Sequence, residues 1–406
     1  MHKLVPSIKT YEPDLKTVYK LLDSTDEFNK NNIPVVISEI KPFDKRLQLI
    51  KARKVYLVFL NGKSNAGGAE RMVHYLDEYL KSRKILTEII DEDRLKNSFI
   101  GNLYWKLFNI RHFEKRRAKY IARYITAFLW LHYRSNKKVI SNGEPTAYYP
   151  TDCVISHGCF HKMELDYGRT NPKLSRIAKL QMIACRNAKK IIAVEDNVKK
   201  DLIQYYGINQ DKISVVPNCI DKTNFYPIKK PSTDFKTIVY IGRLEHGKGI
   251  AELQELSKLV EKQNGWRLLI ASNNPSNSEL FQNLHNTEIL VGLTIDNINE
   301  LTYSRADIVF YPSYSESFGM VTIEALACGR PIAGNPVGVL PKLAKDEQPG
   351  AYLLPKQIDE NIFQFFDYCI EDSRKFTPEE IHEFAMKKFS IESYFEQMDK
   401  HFLKNS

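Results

Sequence analysis

"KVYLVFLNGKSNAGGAERMVHYLDEYLKSR", residues 54–83, decides the architecture. Its opening "KVYLVFLN" (54–61) is a continuous apolar run, the pattern of a parallel strand covered on both faces. "GKSNAGGAE" (62–70) follows, a glycine-rich loop able to bring backbone close to a ligand. "AERMVHYLDEYLKSR" (69–83) then places its apolar residues on one helical face. Strand, glycine-rich loop and helix make one βα unit.

The alternation continues outward. "KILTEIID" (84–91), "CVISHG" (153–158), "KIIAVED" (190–196) and "KISVVPN" (212–218) read as strands with helical stretches between them. A second series opens at "KTIVYIGRL" (236–244) and runs through "WRLLIAS" (266–272), "TEILVG" (287–292) and "ADIVFYPS" (306–313). Two such series imply two doubly wound, Rossmann-like α/β domains. "PNCIDKTNFYPIKKPSTD" (217–234) breaks the pattern and marks the joint. The chain divides into an extension (1–53), an N-domain (54–225), a C-domain (226–385) and a C-terminal helix (386–406) that packs back on the N-domain.

With 406 residues the chain suits two cores rather than one. Six scattered cysteines without a CxxC pair argue for reduced, buried thiols and against zinc or a disulfide framework. The N-terminus has no signal-peptide core, and no run approaches the ~18 apolar residues of a spanning helix, so the expected location is cytoplasmic. The formal charge of +10 points to an anionic partner.

Much of that charge collects between 106 and 138, with ten Lys or Arg and one acid, Glu114. "YITAFLWLHY" (124–133) within it is too short to cross a bilayer but suits a helix at headgroup depth. The expectation is peripheral membrane contact through 103–138, on the cytoplasmic face of the inner membrane. A basic helix with its aromatic side on the core gives the same periodicity. No nucleic-acid module accompanies the charge, so nucleic acid is not the expected partner.

The candidate site lies in "YPSYSESFGMVTIEALACGRPIAG" (311–334). Phe318-Gly319-Met320 leads into a helix over Val321–Cys328, which stops at Gly329-Arg330-Pro331. Seven residues, none charged, separate Glu316 from Glu324. The first amides of a helix are unpaired and its dipole favours an anion, so a pyrophosphate can rest there. In a nucleoside diphosphate sugar, Glu316 upstream then reaches sugar hydroxyls. Glu324, displaced by about 1.5 Å per helical residue, reaches the ribose. In "IGRLEHGKG" (241–249), Arg243 and Lys248 supply cations for the diphosphate. The plain alternatives are a surface acid for Glu324 and an Arg243–Glu245 pair.

In these motifs the chain resembles a retaining glycosyltransferase of the GT-B fold, of the large glycogen-synthase-like family 4. The matching stretches are "GGAERMV" (67–73), "YYGINQDKISVVPNCIDKTNFYP" (205–227), "IGRLEHGKG" (241–249) and "PSYSESFGMVTIEALACGRPIAG" (312–334). The resemblance implies that Arg243 and Lys248 hold the donor diphosphate, Glu316 the transferred sugar and Glu324 the ribose. It implies that amides at Phe318, Gly319 and Met320 touch sugar and phosphate. Gly67 and Gly68 would form the loop closing over the phosphates, and His157 would sit beside the reacting sugar. A lone histidine after a strand also has a structural reading.

The implied reaction moves a sugar from a UDP- or GDP-sugar to a hydroxyl of a glycan or lipid-linked acceptor, in bacterial cell-surface polysaccharide biosynthesis. The implied mechanism retains configuration and needs no metal cofactor. A nucleotide-sugar 2-epimerase working without acceptor is the alternative. "DED" (91–93) admits a metal-binding reading, against that of a strand-end acidic cluster. "IASNNP" (270–275) and Cys219 depart from the family pattern, and residues 1–53 have no counterpart in it.

Overall fold

The computed structural model describes residues 54–60, 68–97, 102, 117–131, 137–170, 173–273 and 276–402. The 1–53 extension, Gly67 and most of the basic 103–138 segment lie outside them.

The first half runs β1 (Lys54–Val58), α1 (Gly68–Ser82), β2 (Leu86–Ile90), α2 (Glu92–Lys96), α3 (Arg117–Leu131), β3 (Lys137–Asn142) and β4 (Cys153–Ser156). It continues through α4 (Phe160–Asp166), α5 (Arg176–Asn187), β5 (Lys190–Ala193), α6 (Asp196–Tyr206) and β6 (Ile213–Val215). These strands form a parallel sheet in the order β2-β1-β3-β4-β5-β6.

The second half runs β7 (Lys236–Ile241), α7 (Ile250–Lys262), β8 (Trp266–Ala271), β9 (Thr287–Leu290), α8 (Ile298–Leu301), β10 (Ile308–Tyr311) and α9 (Met320–Ala327). Then come β11 (Ile332–Gly334), α10 (Leu340–Lys345), β12 (Ala351–Leu353), α11 (Ile362–Ser373), α12 (Pro378–Phe389) and α13 (Ile391–Phe402). Its sheet is also parallel, ordered β12-β11-β10-β7-β8-β9.

Apolar runs account for the central strands. All four residues of β4 and of β10 are buried, as a sheet covered on both faces requires. On α1, Met72, Val73, Tyr75, Leu76, Tyr79 and Leu80 turn inward at helical spacing. β3, β11 and β12 were not among the strands expected from sequence. They complete the sheets as partners of strands already in place, and β11 and β12 have only three residues each.

α13 lies against the first half. The Tyr79 hydroxyl donates to Asp399 Oδ1 at 2.9 Å, the Tyr79 and Phe395 rings meet edge-to-face at 5.3 Å, and Ile220 N–H donates to the Phe389 carbonyl at 2.8 Å.

The described part of the basic segment differs from the headgroup-depth expectation. On α3, Ile121, Ile125 and Leu129 are buried in a cluster with Tyr56, Val58, Val139 and Tyr149. Trp130 meets Tyr149 edge-to-face at 5.3 Å. The apolar face is therefore spent on the domain core, which periodicity alone does not distinguish from a lipid-facing stripe. "DED" has a local role as well. Asp91 caps α2 by accepting from Arg94 N–H at 2.8 Å, and Glu92 pairs with Lys96 at 3.2 Å. All six cysteines are free and buried.

Candidate active site

The loops after β7 and β10 meet at the C-terminal edge of the second sheet, where open α/β sheets take their ligands. Gly249 stands at φ +77°, and a Cβ there would press on the Pro312 carbonyl. Tyr314 N–H donates to the Gly247 carbonyl at 3.0 Å, fastening one loop to the other. From below, the Tyr240 hydroxyl donates to the Arg243 carbonyl at 2.8 Å and reaches that of Lys248 at 3.3 Å. So held, Lys248 Nζ stands 2.5 Å from Glu316 Oε1, the two side chains 18% and 17% exposed.

Arg243 does not join them. Its guanidinium pairs with Glu245 on its own loop at 2.9 Å and is 60% exposed. The structure thus sets one cation, Lys248, directly against Glu316. An exposed pair of this kind is screened by solvent and holds Arg243 only weakly.

Gly319 caps α9 at φ +83°. A Cβ at this residue would lie 2.9 Å from the buried Tyr311 hydroxyl. Phe318 is 3% exposed and meets Phe389 edge-to-face at 6.0 Å, while its carbonyl accepts from Val339 N–H at 2.8 Å. The Phe318 ring anchors the turn, leaving only backbone for a ligand. At Met320 and Val321 the helix begins, so their amides have no carbonyl one turn back.

Glu324, one turn into α9, is 3% exposed. Oε1 accepts from the Arg71 guanidinium of α1, and Oε2 accepts from the Tyr303 hydroxyl at 2.7 Å. The surface-acid alternative for Glu324 is excluded by this burial. Arg71 lies within "GGAERMV", a stretch that gives it no role by itself, and Tyr303 carries no local signal in the sequence.

The first half closes on this surface. A Cβ on Gly68 would stand 2.8 Å from Met320 Cγ, and Asn218 Nδ2 lies 3.6 Å from Met320 Sδ. A Cβ on Gly158 would strike the Ser317 hydroxyl, which places the turn carrying His157 beside Glu316. Ser315 Oγ donates to Asp166 Oδ2 at 3.0 Å, and Lys342 bonds Asp196 at 2.8 Å.

His157 lines a small cavity with Phe59, Met72, Ile155, Ile192, Val194, Val216, Asn218 and Tyr394. Burial among these groups pushes its pKa down to about 4, with Glu70 pulling weakly the other way. Its imidazole is neutral at pH 7, able to accept or donate a hydrogen bond without adding charge. Among the described residues no cluster of three or more His, Cys, Asp or Glu side chains suits a metal ion.

Two parallel α/β sheets, each flanked by helices, with the site in the loops between them, have the architecture of the GT-B fold. The family described as "Glycosyltransferase Family 4" matches residues 66–224, and "Glycosyl transferases group 1" matches residues 221–376. An uncharacterized glycosyltransferase of Methanocaldococcus jannaschii is 29% identical over 188 residues, 42% of this chain and 48% of that protein. The chain spans less than half the length of the curated relatives it matches. Among solved structures, WaaG, a glycosyltransferase involved in lipopolysaccharide biosynthesis, superposes with a TM-score of 0.65. It is 14% identical, over 86% of this chain and all of that one. HepE of Anabaena, in complex with UDP-glucose, superposes with a TM-score of 0.59 at 16% identity over 86% of this chain and 98% of that one. The chain belongs to glycosyltransferase family 4.

Proposed function

We propose that the protein transfers a glycosyl group from a nucleoside diphosphate sugar to an acceptor hydroxyl, with retention of anomeric configuration. The carrying observation is the Lys248–Glu316 pair at the start of α9, with Glu324 one turn deeper on the same helix. Lys248 and the first amides of α9 take the diphosphate, with Arg243 joining once it leaves Glu245. Glu316 accepts hydrogen bonds from the transferred sugar, and Glu324 from the ribose. HepE's complex with UDP-glucose supports a donor of this chemistry.

The bond from the anomeric carbon to the diphosphate oxygen breaks as a bond to the acceptor oxygen forms on the same face. The acceptor's proton passes to the departing phosphate oxygen. Lys248 and the helix amides stabilise the charge that develops there. Neutral His157, beside the Glu316–Ser317 turn, orients the sugar without a competing charge. These fixed cations and dipoles carry the leaving charge in this reading, with no divalent metal, and activity insensitive to chelator is the expected result.

The acceptor belongs to the same proposal: a glycan or lipid-linked molecule of the bacterial cell surface, used in the cytoplasm. WaaG's place in lipopolysaccharide biosynthesis supports this reading. No described helix is long and apolar enough to cross a membrane. Contact with a membrane surface rests on the composition of 103–138.

Slow donor hydrolysis over a panel of UDP- and GDP-sugars, for the full chain and for Lys248→Ala and Glu316→Gln, tests the reading. One sugar nucleotide turned over by the parent and lost by about 10²-fold or more in both variants is expected. Undiminished turnover in both removes the site assignment.

A further inference from the structure

Glu324 is held from two directions that differ in kind. Tyr303 belongs to the same half of the chain, so its bond to Oε2 survives any change in the cleft. Arg71 comes from the first turn of α1, 253 residues away, and its bond to Oε1 exists only while the two sheets stand at their present separation. The arginine side chain is 12% exposed, lies 5.7 Å over the Phe225 ring, and leaves Nε buried without a partner. Burial opposes its charge, and Glu324 more than compensates.

Parting the two halves breaks this charge-assisted hydrogen bond between α1 and α9, so the pair favours the closed arrangement. A carboxylate has about four lone-pair directions. Arg71 and Tyr303 use one on each oxygen, and the two that remain match a vicinal diol.

We propose that Arg71 is a positioning residue that couples domain closure to the carboxylate Glu324, locking it in the orientation in which it receives a ribose. The ribose clause rests on the function proposed above; the locking clause does not.

Small-angle scattering of the full chain, with calorimetric titration of UDP and of GDP, separates the two. A compact chain of this length has a radius of gyration of about 22 Å. Arg71→Ala should enlarge that of the free protein by about 1 Å, and Arg71→Lys should restore it. The better-bound nucleotide should lose affinity by about tenfold or more in Arg71→Ala, because Glu324 is no longer held for the ribose, and Arg71→Lys should recover most of it. An unchanged radius in Arg71→Ala, no rescue by lysine, or an unchanged nucleotide affinity in Arg71→Ala each overturns the coupling. Arg71→Gln replaces the alanine variant if that one fails to fold, with the same outcomes. Glu324→Gln tests the other clause. Unchanged nucleotide affinity there removes the ribose reading, whatever the scattering shows.

Discussion

Glu144 begins the single turn after β3, half-buried, and faces no compensating charge. Burial pushes its pKa from 4.5 up to about 7, opposed only by its own backbone amide. An acid whose folded pKa is raised destabilises the fold once the unfolded chain can ionise and the folded one cannot. The penalty is absent below pH 4.5, grows above it, and levels off above pH 7. From these two values it comes to about 1 kcal/mol at pH 5 and about 3 kcal/mol at pH 8. Glu144→Gln keeps the volume and removes the ionisation. Urea unfolding of both proteins at pH 5, 6.5 and 8 should show the variant gaining about 2 kcal/mol on the parent across that range. A constant difference between the two curves refutes the claim that this carboxyl is desolvated with no compensating charge.

Other consequences follow from the same geometry. His157 should stay neutral from pH 8 down to about pH 5, seen as an invariant imidazole proton shift by NMR; below pH 6.5 the unfolded chain takes up a proton that the folded one refuses, so this site costs stability increasingly down to about pH 4, where the cost levels off. Gly249→Ala must move the loop away from Pro312, at a cost of about 1–3 kcal/mol in backbone strain alone. That variant should keep its circular dichroism and lose nucleotide binding by calorimetry. Tyr303→Phe deprives Glu324 Oε2 of its donor and should cost about 1–3 kcal/mol in chemical denaturation, where an unchanged midpoint contradicts the contact.

Much of the site was legible as a linear pattern. The start of α9 follows from Gly319, whose φ of +83° suits a residue without a Cβ, and the observed helix begins within one residue of the expected Val321. Lys248, expected on the diphosphate, and Glu316, expected on the transferred sugar, come from separate loops and stand 2.5 Å apart. Arg243 illustrates the limit. Its motif announced a cation for phosphate, yet nothing local says whether a long exposed side chain prefers Glu245 or an absent anion.

The alternation of strand and helix, the glycine turns and the spacing of the two glutamates were determined by the chain alone, because each depends on residues within a few turns of one another. Where α3 spends its apolar face was decided only in three dimensions, since the choice turns on which surface lies opposite. The same holds for β11 and β12, too short to declare themselves without a neighbouring strand. It holds most of all for Arg71 on Glu324, a bond between residues 253 positions apart. Local sequence specifies what each side chain offers; only the packing of two domains specifies what it meets.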